Sequence, residues 1–210
     1  MPVESHNTAG STVAVVGIDL TIIVLEIAGG EALVNCLSRL QEYKAHTIAF
    51  VKTPHTELEQ RFDDIRFVVS DQSVPERRAA SARLAESSVV LLIEDTTLPT
   101  KNLIAGIENV FKNRQAVAAA GPVSLGENLD PHYLALGYTE YGRYQPHLSN
   151  RTGQFSVDRL PGNLMAYRRS ELLAALDSID GPLVETVVNE HLLARGGSLV
   201  LEPELSNCYC

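Results

Sequence analysis

Residues 87–99 read SSVVLLIEDTTLP, and this stretch decides the fold class. It begins with an apolar, largely β-branched run, Val89–Ile93, which is too short for a helix and predicts a strand buried on both faces. The run ends at Glu94 and Asp95, and Pro99 is expected to begin the next helix. Ligands bind beyond the carboxyl ends of strands in open α/β sheets, so both acids are candidate contacts. The alternative is that they only complement the helix dipole.

Strand and helix patterns alternate on both sides of this stretch. Apolar residues three and four positions apart, Leu33, Cys36, Leu37 and Leu40, predict one face of a helix. Up to residue 120 the predicted order is strand 21–27, that helix, strands 46–51 and 65–69, helix 75–86, strand 89–93, a helix after Pro99 and strand 116–120. This alternation predicts a mostly parallel central sheet with helices on both faces.

The regular alternation stops at Gly121. Residues 122–160 are rich in Gly, Pro, Asn and Tyr and have no clear period, which predicts a long irregular segment of the kind that usually carries function. Shorter patterns then predict strand 164–167, helices near 172–176 and 183–194, and strand 198–201. We predict a disordered or loosely packed tail at 1–11 and a single domain at 12–210.

Composition narrows the classes of function. The chain has 210 residues, 45% of them apolar and 20% charged, which is typical of a globular protein. A net charge of -9 disfavours a nucleic-acid partner but allows a local basic pocket for a phosphorylated small molecule. No apolar stretch predicts a transmembrane segment, and no secretory signal is recognised. Three cysteines, Cys36, Cys208 and Cys210, are too few for a disulfide framework, so a cytoplasmic location is expected.

The ordered set of pieces over residues 20–205 resembles a family 2 glycosyltransferase of the GT-A fold. The segment 22–40, with CLSRL at 36–40, resembles the family's opening strand, glycine loop and helix. The segment 91–99 stands where the family has a strand, an acidic metal motif and a proline, and PGNLMAYRR at 161–169 resembles its acceptor-side segment. The resemblance implies a GT-A (nucleotide-diphospho-sugar transferase) fold, with a nucleotide-binding half at about 20–121 and an acceptor half at about 122–205.

Two threonines depart from the family pattern. The usual Asp-x-Asp is Glu94-Asp95-Thr96 here, and the usual Glu-Asp on a helix is Glu185-Thr186. One branch of the family carries a Glu-Asp-x motif with a lone Glu on the later helix, and also a Y-G-x-Y/F-x-P segment. With YGRYQP at 141–146, this chain is most similar to that branch.

The resemblance implies transfer of a sugar from a nucleotide-diphospho-sugar, a UDP-sugar first among them, to a hydroxyl of an unknown glycan, lipid or small-molecule acceptor. Transfer would invert the anomeric centre by direct displacement, and a homodimer is allowed. One alternative is a degenerate member that binds without turnover, because of Thr96 and Thr186. Another is a sugar nucleotidyltransferase, although Ala28-Gly29-Gly30 lacks the basic residue of a phosphate loop.

Donor-binding roles fall on Glu26, Asp71, Arg78, Glu94 and Asp95. Glu26 and Asp71 follow predicted strands, where the base and ribose would lie. Arg78 could bind phosphate with its guanidinium, Asp95 is the expected ligand of Mg²⁺ or Mn²⁺ in a weak site, and Glu94 would orient ribose or a water. The alternatives are a solvated helix face for Arg78 and loop acids for Glu26 and Asp71.

Catalytic and acceptor-side roles fall on Glu185, Asn163, Tyr167 and Arg168. Glu185 is the candidate general base for the acceptor hydroxyl, held by Asn189 one helical turn later, unless it only complements the helix dipole. By the same resemblance, Asn163 belongs to the acceptor side, Tyr167 would stack on a sugar ring, and Arg168 would pair with diphosphate or cap the following helix.

Overall fold

A computed structural model describes residues 17–126, 129–145 and 153–209. The predicted tail at 1–11, Pro146 and Cys210 lie outside these ranges. In the part of the chain that is described, no helix combines the length and the apolar character needed to cross a membrane.

The strands are numbered in chain order. They are β1 (Leu20–Leu25), β2 (His46–Val51), β3 (Ile65–Val69), β4 (Val89–Glu94), β5 (Thr97–Pro99), β6 (Ala116–Ala120), β7 (Val123–Leu125), β8 (Phe155–Val157), β9 (Leu164–Arg168), β10 (Ser198–Leu201) and β11 (Asn207–Tyr209). The helices are α1 (Gly30–Leu40), α2 (Thr56–Arg61), α3 (Val74–Leu84), α4 (Leu103–Phe111), α5 (Pro131–Tyr141), α6 (Arg169–Ile179) and α7 (Glu185–Ala194). Helix α2 has no buried residue, and the sequence patterns did not predict it.

Eight strands form the main sheet in the order β3-β2-β1-β4-β9-β6-β10-β8. β1 pairs in parallel with β2 and β4, β2 with β3, and β6 with β10. β9 is antiparallel to both of its neighbours, and β8 is antiparallel to β10. The predicted mostly parallel sheet is confirmed, and β4 lies near its centre.

Helices cover both faces of the main sheet, as predicted. On one face the stripe of α1, Leu33, Cys36, Leu37 and Leu40, is fully buried against alternate residues of β1 and β4. On the other face, residues of α3, α6 and α7 pack against the remaining strand residues. Val89–Ile93 is buried along its whole length, as the apolar run predicts for a strand that is covered twice.

Pro99 does not begin a helix. It ends β5, an edge strand of a small second sheet with the order β5-β11-β7, and α4 begins four residues later at Leu103. Proline is common in the first turn of a helix, but it is also tolerated in the edge strand of a sheet. An edge strand has N–H groups that need no partner in the sheet, so the missing N–H of proline costs no hydrogen bond there. The apolar face predicted for the helix itself is present, with Leu103, Ile107 and Val110 buried.

Within the described residues of 122–160 the chain forms regular elements, so the prediction of a long irregular segment was wrong there. It contains β7, α5, a 3-10 turn at Gly142–Tyr144 and β8. α5 has clear start signals, because the Asp130 carboxylate accepts a hydrogen bond from the His132 backbone N–H at 2.8 Å and Pro131 occupies the first turn. Its glycine and tyrosines mask the helical period.

Candidate functional site

A cavity of about 380 Å³ opens at the edge of the main sheet where β1, β4 and β6 end. This is the edge at which α/β sheets bind ligands. Its walls come from the ends of β1 and β4, from α3, α5 and α7, and from the segment before β9. The lining residues are Ile27, Arg78, Glu94, Thr96, Glu140, Tyr141, Arg159, Leu160, Gly162, Glu185, Thr186 and Tyr209.

Arg78 lies at the centre of the lining. Its side chain is only 5% exposed and bridges two carboxylates from distant parts of the chain. Nη2 donates to Glu94 Oε1 at 2.6 Å and to the Gly162 carbonyl oxygen at 3.0 Å, while Nη1 donates to Glu185 Oε1. Nε has no hydrogen-bond partner among the described residues. The structure thus brings together three of the predicted residues, Arg78, Glu94 and Glu185.

Two local features bring Arg78 and Glu185 into contact. The Glu76 carboxylate accepts hydrogen bonds from the Ser73 N–H and hydroxyl, at 2.9 and 2.7 Å, in the capping box that begins α3 one turn before Arg78. At Gly162, a Cβ atom would lie 2.8 Å from Glu185 Oε1, closer than side chains tolerate. A side chain at this position would therefore displace the Glu185 carboxylate from its present place beside Arg78.

Glu94 titrates in an unusual range. Burial is the largest cause and raises the pKa of its carboxyl to about 7, while Arg78 lowers it and Glu185, Glu140 and Asp95 raise it further. Near neutral pH the cavity therefore contains a carboxyl group that gains or loses a proton with small changes in its surroundings.

Asp95 is buried, 1% exposed, and anchors the loop after β1. Its Oδ1 accepts hydrogen bonds from the N–H groups of Ile27 and Ala28, at 2.9 and 3.1 Å, and its Oδ2 accepts from the Gly29 N–H at 2.7 Å. Gly29 has a φ of 71°, a conformation that favours glycine. Both oxygens of the predicted metal ligand are thus used by the backbone.

The carboxylates at this edge do not form a divalent-cation site. At nucleotide sites Mg²⁺ is usually bound by one or two carboxylates, with substrate phosphates and waters as the other ligands, so a carboxylate oxygen must be free to bind it. Here Asp95 is enclosed by amides and Glu94 is paired with Arg78. Across residues 17–126, 129–145 and 153–209, no three His, Cys, Asp or Glu side chains are grouped as metal ligands. The residues predicted for the cofactor therefore do not fit it.

Glu26 and Asp71, also predicted on the donor side, do not line the cavity. Glu26 is buried, and its carboxylate accepts a hydrogen bond from the Lys52 N–H at 2.5 Å and lies 3.3 Å from His55 Nε2. Asp71 is exposed after β3. The buried Arg77 guanidinium donates to the Glu26 carbonyl oxygen at 2.9 Å, which ties α3 to the end of β1.

The acceptor-side candidates are located elsewhere. Asn163 is fully buried, and its Nδ2 donates to Asn207 Oδ1 at 2.6 Å and to Thr97 Oγ1 at 3.2 Å, which joins the small sheet to the main sheet. Asn189 is also buried, and its side chain makes no hydrogen bond to Glu185 or to any other group of the described residues. Neither amide lines the cavity.

Tyr167 and Arg168 belong to the core and to the opposite edge of the sheet. Tyr167 is fully buried and donates to Met165 Sδ at 3.1 Å, so no ring face is open for a sugar. Because β9 is antiparallel to β4, Arg168 pairs with Val89 at the start of β4. Its guanidinium donates to backbone carbonyl oxygens around the end of α4, including Phe111 O at 2.7 Å. The structure corrects both assignments.

Several lining residues were not predicted as site residues. Tyr141 and Tyr209 form an aromatic wall with ring centroids 5.4 Å apart, and burial raises the pKa of both phenols. Glu140 comes from the unpredicted helix α5, and Arg159 precedes the PGN segment. The start signal at Asp130-Pro131 could have located α5 and hence Glu140 and Tyr141, whereas no local signal indicates Arg159.

The fold is shared with known structures, although no family model and no curated protein matches the chain. The chain is similar to the crystal structure of GalNAc-T7 with UDP, GalNAc and Mn²⁺, a glycosyltransferase, with a TM-score of 0.64 and 11% sequence identity. The match covers 92% of this chain and 44% of that chain, so the chain spans less than half the length of its neighbour. At this identity the likeness shows the fold alone: the chain has the GT-A fold.

Proposed function

We propose that the protein is a glycosyltransferase that binds a nucleotide-diphospho-sugar, a UDP-sugar first among them, in the cavity around Arg78. The observation that carries the proposal is the nearly buried Arg78 guanidinium at the carboxyl edge of a GT-A sheet, in contact with Glu94 and Glu185. A guanidinium fits phosphate oxygens in a fork geometry. The UDP in the GalNAc-T7 structure supports a uridine donor.

Transfer would proceed by direct displacement. The acceptor hydroxyl oxygen forms the new bond to the anomeric carbon while the bond to the diphosphate breaks, which inverts that centre. Glu185 takes the hydroxyl proton, and Arg78 stabilises the negative charge that grows on the leaving diphosphate. The Glu185 side chain lines the cavity and is 25% exposed, so an acceptor can reach it. No step is assigned to a metal ion, because the carboxylates do not fit one.

Binding without turnover is the second candidate, and one arrangement favours it. Thr96 and Thr186 occupy positions at which the resemblance predicts acids, and both line the same cavity. In addition, Glu185 is paired with Arg78, which occupies the carboxylate that would act as base. A diphosphate that binds Arg78 would release Glu185, and without that release the pocket could bind a donor and leave it intact.

Glu185→Gln separates the two candidates. Gln keeps the shape but cannot accept a proton, so transfer should fall by about 10²- to 10⁴-fold. UDP should bind as well or more tightly, since a carboxylate next to the phosphate site is removed. UDP release and product anomer are measured with a panel of UDP-sugars and acceptors. UDP binding is measured by calorimetry.

Glu190→Gln is the matched control, because Glu190 is an exposed acid on the same helix, α7. It should leave transfer unchanged. Near-normal turnover of Glu185→Gln would exclude Glu185 as the base. A wild-type protein that binds UDP but releases none from any UDP-sugar would favour the binder, and a protein that binds no nucleotide would contradict both candidates.

A further inference from the structure

We propose that two arginines, Arg78 and Arg159, hold the donor diphosphate and that its binding requires no divalent cation. The inference rests on the proposed function of the cavity and deepens it, because it names the groups that neutralise the phosphates. Arg159 has no role in the chemistry derived so far.

The carboxylates that would hold a cation are already engaged. Asp95 is 1% exposed, and both of its carboxylate oxygens already accept backbone hydrogen bonds of 2.7–3.1 Å. Glu94 accepts from Arg78 at 2.6 Å. The Arg78 guanidinium therefore lies next to Glu94, in the region where the resemblance predicts a metal ion beside the leaving group. It supplies positive charge and directed donors together.

Arg78 alone cannot neutralise the charge of a diphosphate. Its single charge is shared between two carboxylates, Glu94 and Glu185, and Glu140 adds a third acid to the lining. When all of these groups are ionised, the three acids Glu94, Glu140 and Glu185 and the two arginines Arg78 and Arg159 give the cavity lining a net charge of -1. A diphosphate adds further negative charge, and it therefore needs a cation that is not already neutralised.

Arg159 has the required properties. It lines the same cavity, its side chain is exposed, and it makes no ion pair within the described part of the chain. The neighbouring acid, Asp158, is held instead by Arg143 Nη2 at 2.9 Å. The backbone at this point is fixed, because the Tyr144 hydroxyl donates to the Arg159 carbonyl oxygen at 3.3 Å and Leu160 is buried.

Calorimetry on the full chain tests the proposal, with UDP, uridine and inorganic pyrophosphate as probes. Each titration is carried out in EDTA and again in MnCl₂ or MgCl₂. We expect UDP to bind in EDTA with a Kd that changes less than threefold on adding the metal. Arg159→Ala should weaken UDP and pyrophosphate by about 10- to 100-fold, as expected when a charge-assisted hydrogen bond is lost, and leave uridine unchanged.

Arg159→Lys should recover part of the lost affinity for UDP, because lysine keeps the positive charge but lacks the forked donors of the guanidinium. Arg114→Ala is the control, since Arg114 is exposed before β6 at the opposite edge of the sheet. Removing Arg78 outright would leave Glu94 and Glu185 without a cation, so Arg78→Lys is used. It should weaken UDP more than uridine, with a circular-dichroism check of the fold.

Three results would overturn the inference. UDP binding that appears only with Mn²⁺ or Mg²⁺ would show that the diphosphate requires a divalent cation, and it would leave the proposed function intact. An Arg159→Ala protein that binds UDP like Arg114→Ala would remove Arg159 from the phosphate site, again without affecting the proposed function. A wild-type protein that binds neither UDP nor pyrophosphate, with or without metal, would contradict the proposed function itself.

Discussion

At the residue scale, Asp95 is where the motif and the structure differ most. The motif predicts a metal ligand, whereas the carboxylate accepts hydrogen bonds from the Ile27, Ala28 and Gly29 N–H groups. A buried acid that satisfies three backbone donors is a structural anchor, because without these bonds the carboxylate and the buried Gly29 N–H would lack partners.

Asp95→Asn should therefore destabilise the protein. The amide oxygen can still accept from Ile27 and Ala28, but the NH₂ group then faces the Gly29 N–H, so one bond is lost and two donors meet. We expect about 2–4 kcal/mol lower free energy of unfolding in urea denaturation. Asp64→Asn, at an exposed acid, should change stability little. Unchanged stability together with loss of an Mn²⁺-dependent rise in Tm would make Asp95 a metal ligand after all.

Glu94 should make stability depend on pH. Its folded pKa of about 7 lies above the ordinary value of 4.5, because burial and the acids Glu185, Glu140 and Asp95 outweigh Arg78. The folded state therefore binds the proton more tightly than the unfolded state. The stabilisation is complete below pH 4.5 and is lost as pH rises through 7, by an amount on the order of 3 kcal/mol.

Glu94→Gln should flatten that fall, because Gln does not titrate. Urea denaturation at pH 5.0 and 7.5 compares the wild type, Glu94→Gln and the exposed-acid control Glu86→Gln. The control should keep the wild-type difference between the two pH values. The same difference in Glu94→Gln would mean that another group causes it.

At the element scale, the sequence predicted the elements that bury a local pattern. β2 and β3 have the predicted bounds, and the stripe of α1 is buried as expected. The small sheet could not be predicted in this way. Its strands are three residues long and pair across the chain, as Thr97 does with Tyr209, so no local period marks them.

In the candidate site, too, the sequence indicated residues but not the long-range contacts between them. Chain order and motif indicated Arg78, Glu94 and Glu185, but the contact between Arg78 and Glu185 joins residues 107 positions apart and lies against Gly162. The resemblance of segment 161–169 to the family's acceptor-side segment predicted Arg168 as a site residue. The antiparallel direction of β9 takes it to the other edge of the sheet, and strand direction is a property of the whole sheet that local sequence does not specify.

Gly121→Ala should damage the junction between the two sheets. A Cβ atom there would lie 2.0 Å from the Leu205 carbonyl oxygen, and backbone cannot move aside cheaply. We expect a loss of about 2–4 kcal/mol in urea denaturation. Gly142→Ala is the matched control: it has no atom within 4 Å, its φ is -53°, and it should be neutral or slightly stabilising. Equal stability of the two variants would mean that the backbone at Leu205 can move away from Gly121 at little cost in free energy.

At the scale of the whole molecule, the two predicted halves share one sheet. β9, from the acceptor half, lies between β4 and β6 of the nucleotide-binding half, and β10 pairs on the far side of β6. Neither half therefore has a complete sheet of its own. A chain ending at residue 121 would expose the central strand β4 and separate β6 from its neighbours, and such unpaired edges favour aggregation.

The full chain should therefore unfold in one cooperative transition, as the prediction of a single domain over 12–210 requires. Calorimetry should give a calorimetric enthalpy equal to the van't Hoff enthalpy. Fragments 1–121 and 122–210 should each lack a transition, and mixing them should restore one, because β9 and β10 can then pair with β4 and β6. Two transitions in the full chain, or a cooperative transition in fragment 1–121 alone, would contradict this. Either result would mean that the nucleotide-binding half folds without β9, and that donor binding could be studied on that half alone.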